Sequence, residues 1–555
     1  MNLSGIGEDI ARILYPYLSV NSETCTSGEK EAEEFLLGIL GGMEYFRKYP
    51  DQYGAFPVPG DPFCRSVCWG LVRGSGKRTV VLFHHYDVVG TEDFKALKDL
   101  AFCPDKLEEA LRKMKHELHT EAADDLASGE FLFGRGTADM KAGGAVQLAV
   151  LDRFSKEAEP SGNILLMAVP DEENISAGIR GAIPLLSELK QRFSLDYVYA
   201  IDSEPHQRKD AATGLISEGS VGKTLAFVYV RGFLSHAGKV FEGLNPLAIL
   251  TRIAAMTEVS QVLSDKVHGE ASPPPTWQYL RDRKENYDAS MPLGAGGCIS
   301  ILTLNSNPAE VLKSLKVISY KAFSEAIDYT NESFKTFCEN SGRKQAELPW
   351  EARVCSFGEL LNEAGKNHGD LFAKNYSEKI DEIIIEINSK RIDIIEAGFL
   401  LTEFVYGYID DLSPRVVIGL VPPFYPNVSN IMLAEGKNTC PKLAEKLIGF
   451  AREEFDQKYN REYFFTGISD MSYFSLRDSA NIGKTLEDDM PLYGKAYSIP
   501  LAEIEELSMP CINIGPWGKD FHKLSERVYK PDLYERTPAM LAKAIEILFD
   551  VEQML

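Results

Sequence analysis

The chain has 555 residues, of which 44% are hydrophobic and 25% are charged, and its formal net charge at pH 7 is −23. This length predicts two or three domains. The negative charge disfavours nucleic acids and anionic membranes as partners, because both are bound through clusters of Lys and Arg.

The sequence also indicates a soluble, cytoplasmic protein. No apolar run is long enough to span a bilayer. The N-terminal segment has Glu8 and Asp9 before its apolar stretch, which is typical of an amphipathic helix and not of a secretion signal. The nine cysteines are scattered along the chain, so reduced, mostly buried thiols are the simplest interpretation.

Apolar runs alternate with helical patterns in the first 216 residues. The runs at 77–90, 163–174 and 195–205 are β-branched or aliphatic and end in polar residues, which predicts strands buried on both faces. The segment FLFGRGTADMKAGGA at 131–145 predicts a short strand, a glycine-rich turn and the start of a helix. This alternation predicts an α/β domain with a largely parallel sheet, which binds its ligand at the carboxyl ends of the strands.

Two other stretches have a different character. Residues 91–129, hereafter the excursion segment, are charged and helical in composition, and residues 265–410 have many helix formers and few buried-strand signals. KTLAFVYVRG at 223–232 predicts a half-exposed antiparallel strand, and RVVIGLVPPFYP at 415–426 predicts a strand stopped by its prolines. We therefore expect a catalytic domain in two parts, 1–216 and 431–555, with a second domain, 217–430, inserted between them.

Histidine and acidic residues follow the predicted strands. His85 and Asp87 are two apart, so on a strand they face the same side, where the Asp can accept the second N–H of a metal-bound imidazole. A hydrogen-bonded strand-end histidine without metal is the alternative, and the neighbouring His84 lacks an acid at this offset. Asp139 follows the glycine turn and is either a ligand or a helix N-cap.

Three consecutive acids, Asp171, Glu172 and Glu173, end the next strand. They repel one another, so either water or a cation must compensate them. Glu204 ends the following strand just before a proline, and Asp202 competes with it for the same role.

His522 lies far downstream, after another short apolar strand. Two imidazoles with three carboxylates suit Zn²⁺ better than Ca²⁺ or Mg²⁺, which prefer oxygen ligands alone. A second histidine pair, His116 and His119 in KHELHTE, lacks the i, i+4 spacing of a zinc helix, and we expect it on a solvated helix face.

Taken in order, these motifs resemble those of a known family. His-x-Asp, Gly-Arg-Gly-x-x-Asp-x-Lys, Asp-Glu-Glu, Glu-Pro and a C-terminal Gly-Pro…His are similar to the co-catalytic zinc exopeptidases, which include glutamate carboxypeptidase, aminoacylase and succinyl-diaminopimelate desuccinylase. The core motifs cover residues 80–245 and 440–530. Within the family, LAFCPDKLEEAL, FLFGRGTADMKAG, VPDEEN, VVIGLVPPFYP and GISDMSYF resemble the branch of the arginine-utilisation protein RocB.

The resemblance implies a role for each motif residue. His85 and Glu204 would hold one zinc, Glu173 and His522 the other, and Asp139 would bridge the two. Asp87 would orient His85. Glu172 would be the general base that takes a proton from the metal-bridging water and passes it to the leaving nitrogen.

The inserted domain would be the family's α+β lid, here enlarged by residues of about 320–400. Its segment RGFLSHAGKVFEGLN would bring His236 and Asn245 to the substrate, with His236 stabilising the carbonyl oxyanion. A surface-loop histidine is the alternative for His236. Arg415 and Arg353 are candidates for an arginine that binds a substrate carboxylate, and the family's lid-mediated homodimer is the assembly that the resemblance implies.

The predicted function is therefore that of a metal-dependent hydrolase. It would use two Zn²⁺ ions, with Co²⁺ or Mn²⁺ as substitutes, to cleave an amide bond of a small peptide or an N-acyl amino acid. One alternative is a hydrolase of a carbamoyl or ureido C–N bond on the same metal centre. The other is a catalytically silent binding member, which would lack Glu172 or a ligand, although every expected position is filled.

Overall fold

A computed structural model of the protein describes residues 1–208, 212–433 and 442–550. The strands in these residues are β1 (Tyr53–Pro57), β2 (Ser66–Val72), β3 (Arg78–His85), β4 (Phe131–Phe133), β5 (Asn163–Val169), β6 (Asp196–Asp202), β7 (Thr213–Ser217), β8 (Gly219–Ser220), β9 (Gly222–Arg231), β10 (Lys266–Val267), β11 (Glu270–Ala271), β12 (Thr276–Asp282), β13 (Gly294–Thr303), β14 (Val354–Ser356), β15 (Arg415–Tyr425), β16 (Val428–Ser429), β17 (Lys458–Glu462), β18 (Cys511–Asn513), β19 (Gly518–Lys519) and β20 (Arg527–Tyr529).

The helices are α1 (Ile6–Ser19), α2 (Gly28–Gly42), α3 (Glu44–Lys48), α4 (Pro104–Lys113), α5 (Thr120–Ser128), α6 (Lys141–Ser155), α7 (Ala177–Phe193), α8 (Pro246–Thr257), α9 (Pro308–Ser341), α10 (Phe357–Asn388), α11 (Ile394–Tyr406), α12 (Asn430–Leu433), α13 (Leu443–Phe455), α14 (Ser479–Asp489), α15 (Leu501–Leu507) and α16 (Thr537–Phe549). Within the described residues, no helix is both long enough and apolar enough to cross a membrane.

The described residues form two compact units. The first comprises those of Met1–Val221, Asn427–Arg477 and Ala502–Leu555, and the second comprises Gly222–Pro426 and Asp478–Leu501. The predicted second part of the catalytic domain, 431–555, is one continuous segment. The structure assigns Asp478–Leu501 to the second unit, where α14 packs against α9, α10 and β15.

The first unit is built on an eight-stranded mixed sheet in the order β1-β2-β5-β3-β6-β18-β7-β17. Its centre is parallel, because β3 pairs in parallel with both β5 and β6, and β18 pairs in parallel with β6. Every residue of β5 is buried, as the unbroken apolar run predicts. Alternate residues of β3 and β5 join a core with α1, α2, α6, α13 and α16, and α7 packs on β1, β2 and β5. The predicted α/β class is confirmed.

The second unit contains a five-stranded sheet in the order β12-β13-β9-β15-β14. Its strands pair antiparallel except β14 with β15. The long helices α9 and α10 begin with capping boxes at Asn307 and Ser356. They account for the helix-rich composition of residues 265–410.

Three strands of the second unit differ from the sequence expectation. The prediction overlooked β13, whose segment GAGGCISILT is glycine-rich. A Cβ at Gly297 would lie 2.6 Å from the Trp277 ring, and one at Gly296 would lie 2.6 Å from the Phe399 ring, so these glycines make room for aromatic packing. Strand β9 is buried at eight of its ten positions and not half-exposed, and β15 continues through Pro422 and Pro423 to Tyr425.

Candidate metal centre

Three parallel strands bring acids and a histidine to one edge of the large sheet. In the register of the sheet, His85 lies opposite Val169 at the end of β5, and Phe83 lies opposite Asp202 at the end of β6. Glu172 and Glu204 therefore follow the carboxyl ends of strands that flank β3. This is the edge at which open α/β sheets bind their ligands.

Asp139 reaches the same edge from the turn between β4 and α6. The turn needs the left-handed conformation of Gly136, whose φ is +76°. The buried carboxylate of Glu526 holds the backbone of this turn. Its Oε1 accepts hydrogen bonds from the backbone N–H groups of Ala138 at 3.2 Å and Asp139 at 3.3 Å. Glu526 also forms an ion pair with Arg135. Glu526 is not among the residues predicted for the site, although it lies only four residues after His522.

The Asp139 carboxylate lies between the two histidines. Its Oδ1 is 3.0 Å from His85 Nε2, and its Oδ2 is 3.3 Å from His522 Nε2. The same nitrogen of His85 is 3.5 Å from Glu204 Oε1, and that of His522 is 3.3 Å from Glu173 Oε1. The five side chains thus form two groups that share Asp139.

These groups fit metal ions better than hydrogen bonds alone. Two ligand atoms of one tetrahedral zinc, each about 2.0–2.1 Å from the metal, lie about 3.3 Å apart. The contacts of His85 and His522 with the carboxylates, at 3.0–3.5 Å, bracket that separation. Within the residues described, buried Glu173 Oε1 has no hydrogen-bond partner although His522 lies next to it. The Glu173 carboxylate therefore has an oxygen to give to a cation.

Glu172 lies close to His85 and Glu204 at the same edge. One oxygen of Glu172, a nitrogen of His85 and an oxygen of Glu204 lie within 4.8 Å of one another. Burial raises the pKa of Glu172 well above its ordinary value, and nearby carboxylates act in the same direction. The contact with Asp139, followed by that with Glu173, raises the pKa of His522 to about 11. Negative charge is concentrated here, beside the imidazoles of His85 and His522.

Asp87 has a different contact from the one expected. The expectation was that its carboxylate accepts the second N–H of His85, but that nitrogen, Nδ1, lies 2.9 Å from the backbone carbonyl of Asp87 and 3.6 Å from its carboxylate. The carboxylate instead accepts the backbone N–H groups of Glu172 at 3.1 Å and Glu173 at 3.2 Å, one on each oxygen. Asp87 therefore orients the imidazole through its main chain and the two glutamates through its side chain.

The cation that compensates Asp171 is an arginine. Buried Arg65 Nη1 donates to Asp171 Oδ1 at 2.6 Å and to Glu29 Oε2 at 2.9 Å, and its Nη2 donates to Asp61 at 2.6 Å. No spacing rule connects Arg65 with an acid more than a hundred residues away, so the sequence could not show this pair.

Asp202, the competitor of Glu204, is also committed elsewhere. Its Oδ2 accepts from Ser469 Oγ at 2.6 Å, and its Oδ1 accepts from the backbone of Ser203 at 2.8 Å. Ser469 belongs to the motif GISDMSYF. These contacts favour Glu204 as the ligand from this strand.

The expected substrate-binding residues belong to the second unit. His236 is exposed, and its Nδ1 accepts from the backbone N–H of Gly238 at 3.0 Å. Asn245 is the N-cap of α8 and accepts from Leu247 N at 3.0 Å. The arginine candidates are already ion-paired: Arg415 with Glu363 at 2.6 Å, and Arg353 with Asp411.

The histidines of KHELHTE differ from each other. His116 is exposed, and its nearest charged partner is Glu117 at 3.8 Å. His119 is only half-exposed, caps α5, and contacts Asp520 at 2.7 Å. Both histidines are solvated, as expected, since His119 keeps 49% of its side chain exposed, but His119 also joins the start of α5 to Asp520.

Comparison with known proteins defines the class. The model of Peptidase family M20/M25/M40 matches residues 118–546, and the chain belongs to this family. The protein is thus a hydrolase of the metallopeptidase and amidohydrolase class.

Three relatives show how far the similarity extends. The chain is 30% identical to the uncharacterized protein YqjN of Bacillus subtilis (strain 168), covering 98% of this chain and 96% of YqjN. It is 28% identical to protein RocB of the same organism, covering 96% and 94%. It is 34% identical to the succinyl-diaminopimelate desuccinylase of Psychromonas ingrahamii over 147 residues, which cover 26% of this chain and 37% of that enzyme.

Among solved structures, the fold resembles a tripeptidase from Staphylococcus aureus subsp. aureus Mu50. The TM-score is 0.53 at 14% identity, with 98% of each chain covered.

Proposed function

We propose that the protein is a two-zinc hydrolase that cleaves an amide bond of a small peptide or an N-acyl amino acid. The observation that carries this proposal is the position of Asp139, whose two oxygens each face a different histidine. Such a carboxylate can bridge two ions. His85 and Glu204 would hold one Zn²⁺, and Glu173 and His522 the other, with Co²⁺ or Mn²⁺ as substitutes.

Zinc ions held by these residues would polarise the scissile carbonyl and lower the pKa of water. The chain's own residues would do the rest. Glu172 accepts a proton from the attacking water while the oxygen of that water bonds to the carbonyl carbon. Glu172 then donates the proton to the leaving nitrogen as the C–N bond breaks. Asp87 fixes the main chain of Glu172, so the carboxylate has a defined approach.

We further propose that His236 and Asn245 bind the substrate and that the second unit acts as a lid. The backbone N–H of Gly238 donates to His236 Nδ1, so the proton of a neutral imidazole is on Nε2. An exposed Nε2–H is the donor that a carbonyl oxyanion requires. Asn245 Oδ1 is engaged by Leu247 N, which leaves its amide N–H₂ as the group that can reach a ligand.

The substrate class is chosen from what the relatives are named for. The names of a tripeptidase and a succinyl-diaminopimelate desuccinylase both point to amides of amino-acid derivatives. The motifs that resemble the arginine-utilisation branch of the family are the ground for proposing a role in amino-acid catabolism, such as arginine utilisation. We propose a cytoplasmic enzyme because Cys64, Cys68, Cys103, Cys298, Cys338, Cys355 and Cys511 are thiols outside any disulfide. We include a homodimer in the proposal because the resemblance to the family implies one.

The test is a substrate panel with the zinc-loaded protein. N-succinyl, N-acetyl and N-carbamoyl amino acids are compared with dipeptides and tripeptides, and the release of free amine is measured. The Glu172→Gln protein, prepared in parallel, is the matched control for contaminating hydrolases. Turnover of acyl or peptide amides by the wild type alone supports the proposal. Turnover restricted to the carbamoyl compounds would favour the alternative C–N hydrolase, and no turnover by a two-zinc protein would favour a binding member.

A further inference from the structure

The loop that carries His522 adopts an unusual backbone conformation. It connects β19 to β20, and Asp520 and His522 have φ of 55° and 62°. Residues with a Cβ seldom adopt this left-handed region, and they keep it where the surrounding structure holds them. The position of the His522 imidazole therefore depends on what holds the loop.

One carboxylate oxygen at the start of this loop receives three donors. Asp520 Oδ2 accepts from His119 Nε2 at 2.7 Å, from Ser525 Oγ at 2.8 Å and from Arg527 Nη1. Because His119 Nδ1 accepts from Ala122 N at 3.3 Å, the proton of a neutral imidazole lies on Nε2 and is donated to Asp520. His119 is thus a bridge between the cap of α5 and the His522 loop.

The arginine on the other side of Asp520 is held by the same segment of chain. Arg527 is fully buried, and its Nε donates to Asp125 Oδ2 at 2.7 Å. Lys519 Nζ donates to that same oxygen at 2.8 Å. Both ends of the loop are therefore tied to α5, which ends at Ser128.

The excursion segment is itself firmly packed. Its apolar residues bury themselves against β4 and the residue before β19, in a cluster that includes Phe94, Leu107, Leu111, Leu126, Phe131, Phe133 and Trp517. The excursion segment contains none of the residues to which the family resemblance assigns a role, yet it has a hydrophobic cluster of its own. It presents His119 and Asp125 from a rigid support.

We propose that the excursion segment positions the metal ligand His522. His119 and Asp125 hold Asp520 and Arg527, and these keep the loop in the conformation that sets the imidazole 3.3 Å from both Asp139 and Glu173. This inference rests on the proposed two-zinc function. His119 is a positioning residue that touches neither metal nor substrate. Its loss weakens the binding of the ion held by His522 and leaves the binding of the ion held by His85 and Glu204 unchanged.

The experiment uses side chains that separate the two contacts of His119. In His119→Asn the side chain still caps α5, because Asn is a good N-cap, but it is too short to reach Asp520. In His119→Gln the amide N–H₂ reaches about as far as Nε2 and keeps the donor. His116→Asn is the matched control, since His116 lies three residues away and is exposed. Asp125→Asn tests the second tie.

Metal-free full-length proteins are titrated with Zn²⁺ against a chromophoric chelator, and their thermal unfolding is recorded without metal. We expect the wild type to bind two ions. In His119→Asn and Asp125→Asn, the affinity for the more weakly bound ion should fall by about 10- to 100-fold, the range found for residues that orient metal ligands. His119→Gln and His116→Asn should bind like the wild type.

Wild-type affinity for both ions in His119→Asn would overturn the inference. So would equal weakening of both ions together with a lower unfolding temperature, because that pattern reports general destabilisation. A wild type that binds fewer than two ions would instead overturn the proposed function.

Discussion

Asp87 Oδ1 accepts a hydrogen bond from the backbone N–H of Glu172 at 3.1 Å. The residue that follows His85 by two positions thus controls the main chain of the proposed general base. Its other oxygen accepts the backbone N–H of Glu173, a proposed metal ligand. One buried carboxylate therefore fixes the main chain of both the proposed base and a proposed metal ligand.

Replacing Asp87 with Asn should impair this arrangement without changing its shape. An amide offers one accepting oxygen and one donating N–H₂, so one of the two backbone N–H groups loses its acceptor. We expect kcat/KM to fall by about 10- to 100-fold, as for other residues that orient metal ligands. Steady-state kinetics with zinc content measured in parallel will show this, and kinetics close to wild type would contradict the assigned role.

The adjacent glutamates should separate by role. Glu172→Gln preserves shape but cannot accept the water's proton, so turnover should fall by about 10²–10⁴-fold while both ions remain bound. Glu173→Gln should instead lower metal content, because its Oε1 lies beside His522. The two variants are prepared side by side, and each serves as the control for the other in metal analysis and kinetics. Near wild-type turnover by Glu172→Gln would remove it as the base.

His522→Ala should remove one ion and leave the other. His522 contacts Asp139 and Glu173, whereas His85 and Glu204 lie in the other group. The variant should therefore bind about one zinc per chain where the wild type binds two. Elemental analysis after dialysis measures this. Loss of both ions would mean that the groups do not bind independently.

His236→Ala tests the role of the second unit. If Nε2–H stabilises the oxyanion, kcat should fall by about 10²–10³-fold, the range for loss of one such donor, with zinc content unchanged. His268→Ala is a suitable control, because His268 is another exposed histidine of the same unit. An unaltered kcat in His236→Ala would show that His236 does not stabilise the oxyanion and is a surface histidine.

Arg65→Met should destabilise the first unit. The change leaves Asp61, Glu29 and Asp171 buried without their shared cation, and breaking a buried pair in this way costs about 3–5 kcal/mol. Arg73→Met, on an exposed arginine just beyond β2, is the control and should change stability little. Denaturant unfolding of both variants gives the difference. Equal stability would mean that water replaces the guanidinium.

The parts of the site that could be predicted are those that leave a local pattern. The apolar runs of β3, β5 and β6 are continuous because both sheet faces are buried, and the polar residues after them are conspicuous for that reason. His85, Glu173 and Glu204 follow from such patterns with the help of the family resemblance. Their convergence follows from parallel pairing.

Other features depend on contacts between distant residues. Strand β13 lacks an apolar run because its glycines accommodate the rings of Trp277 and Phe399, which no local rule anticipates. The ion pair of Arg65 with Asp171 joins residues from separate elements. The acceptor for His85 is a main-chain carbonyl, which every residue carries, so its use leaves no trace in the sequence.

The place of β18 has a consequence for synthesis on the ribosome. This strand, Cys511–Asn513, lies between β6 and β7, which are made some three hundred residues earlier. Until it emerges, the growing chain has an open β6 edge whose unpaired backbone N–H and C=O groups can pair with any other strand. His522, the last of the proposed ligands along the chain, emerges only after β18. The nascent protein therefore passes most of its elongation with an unfinished sheet and an incomplete set of proposed ligands, and both are completed by the same short stretch of chain.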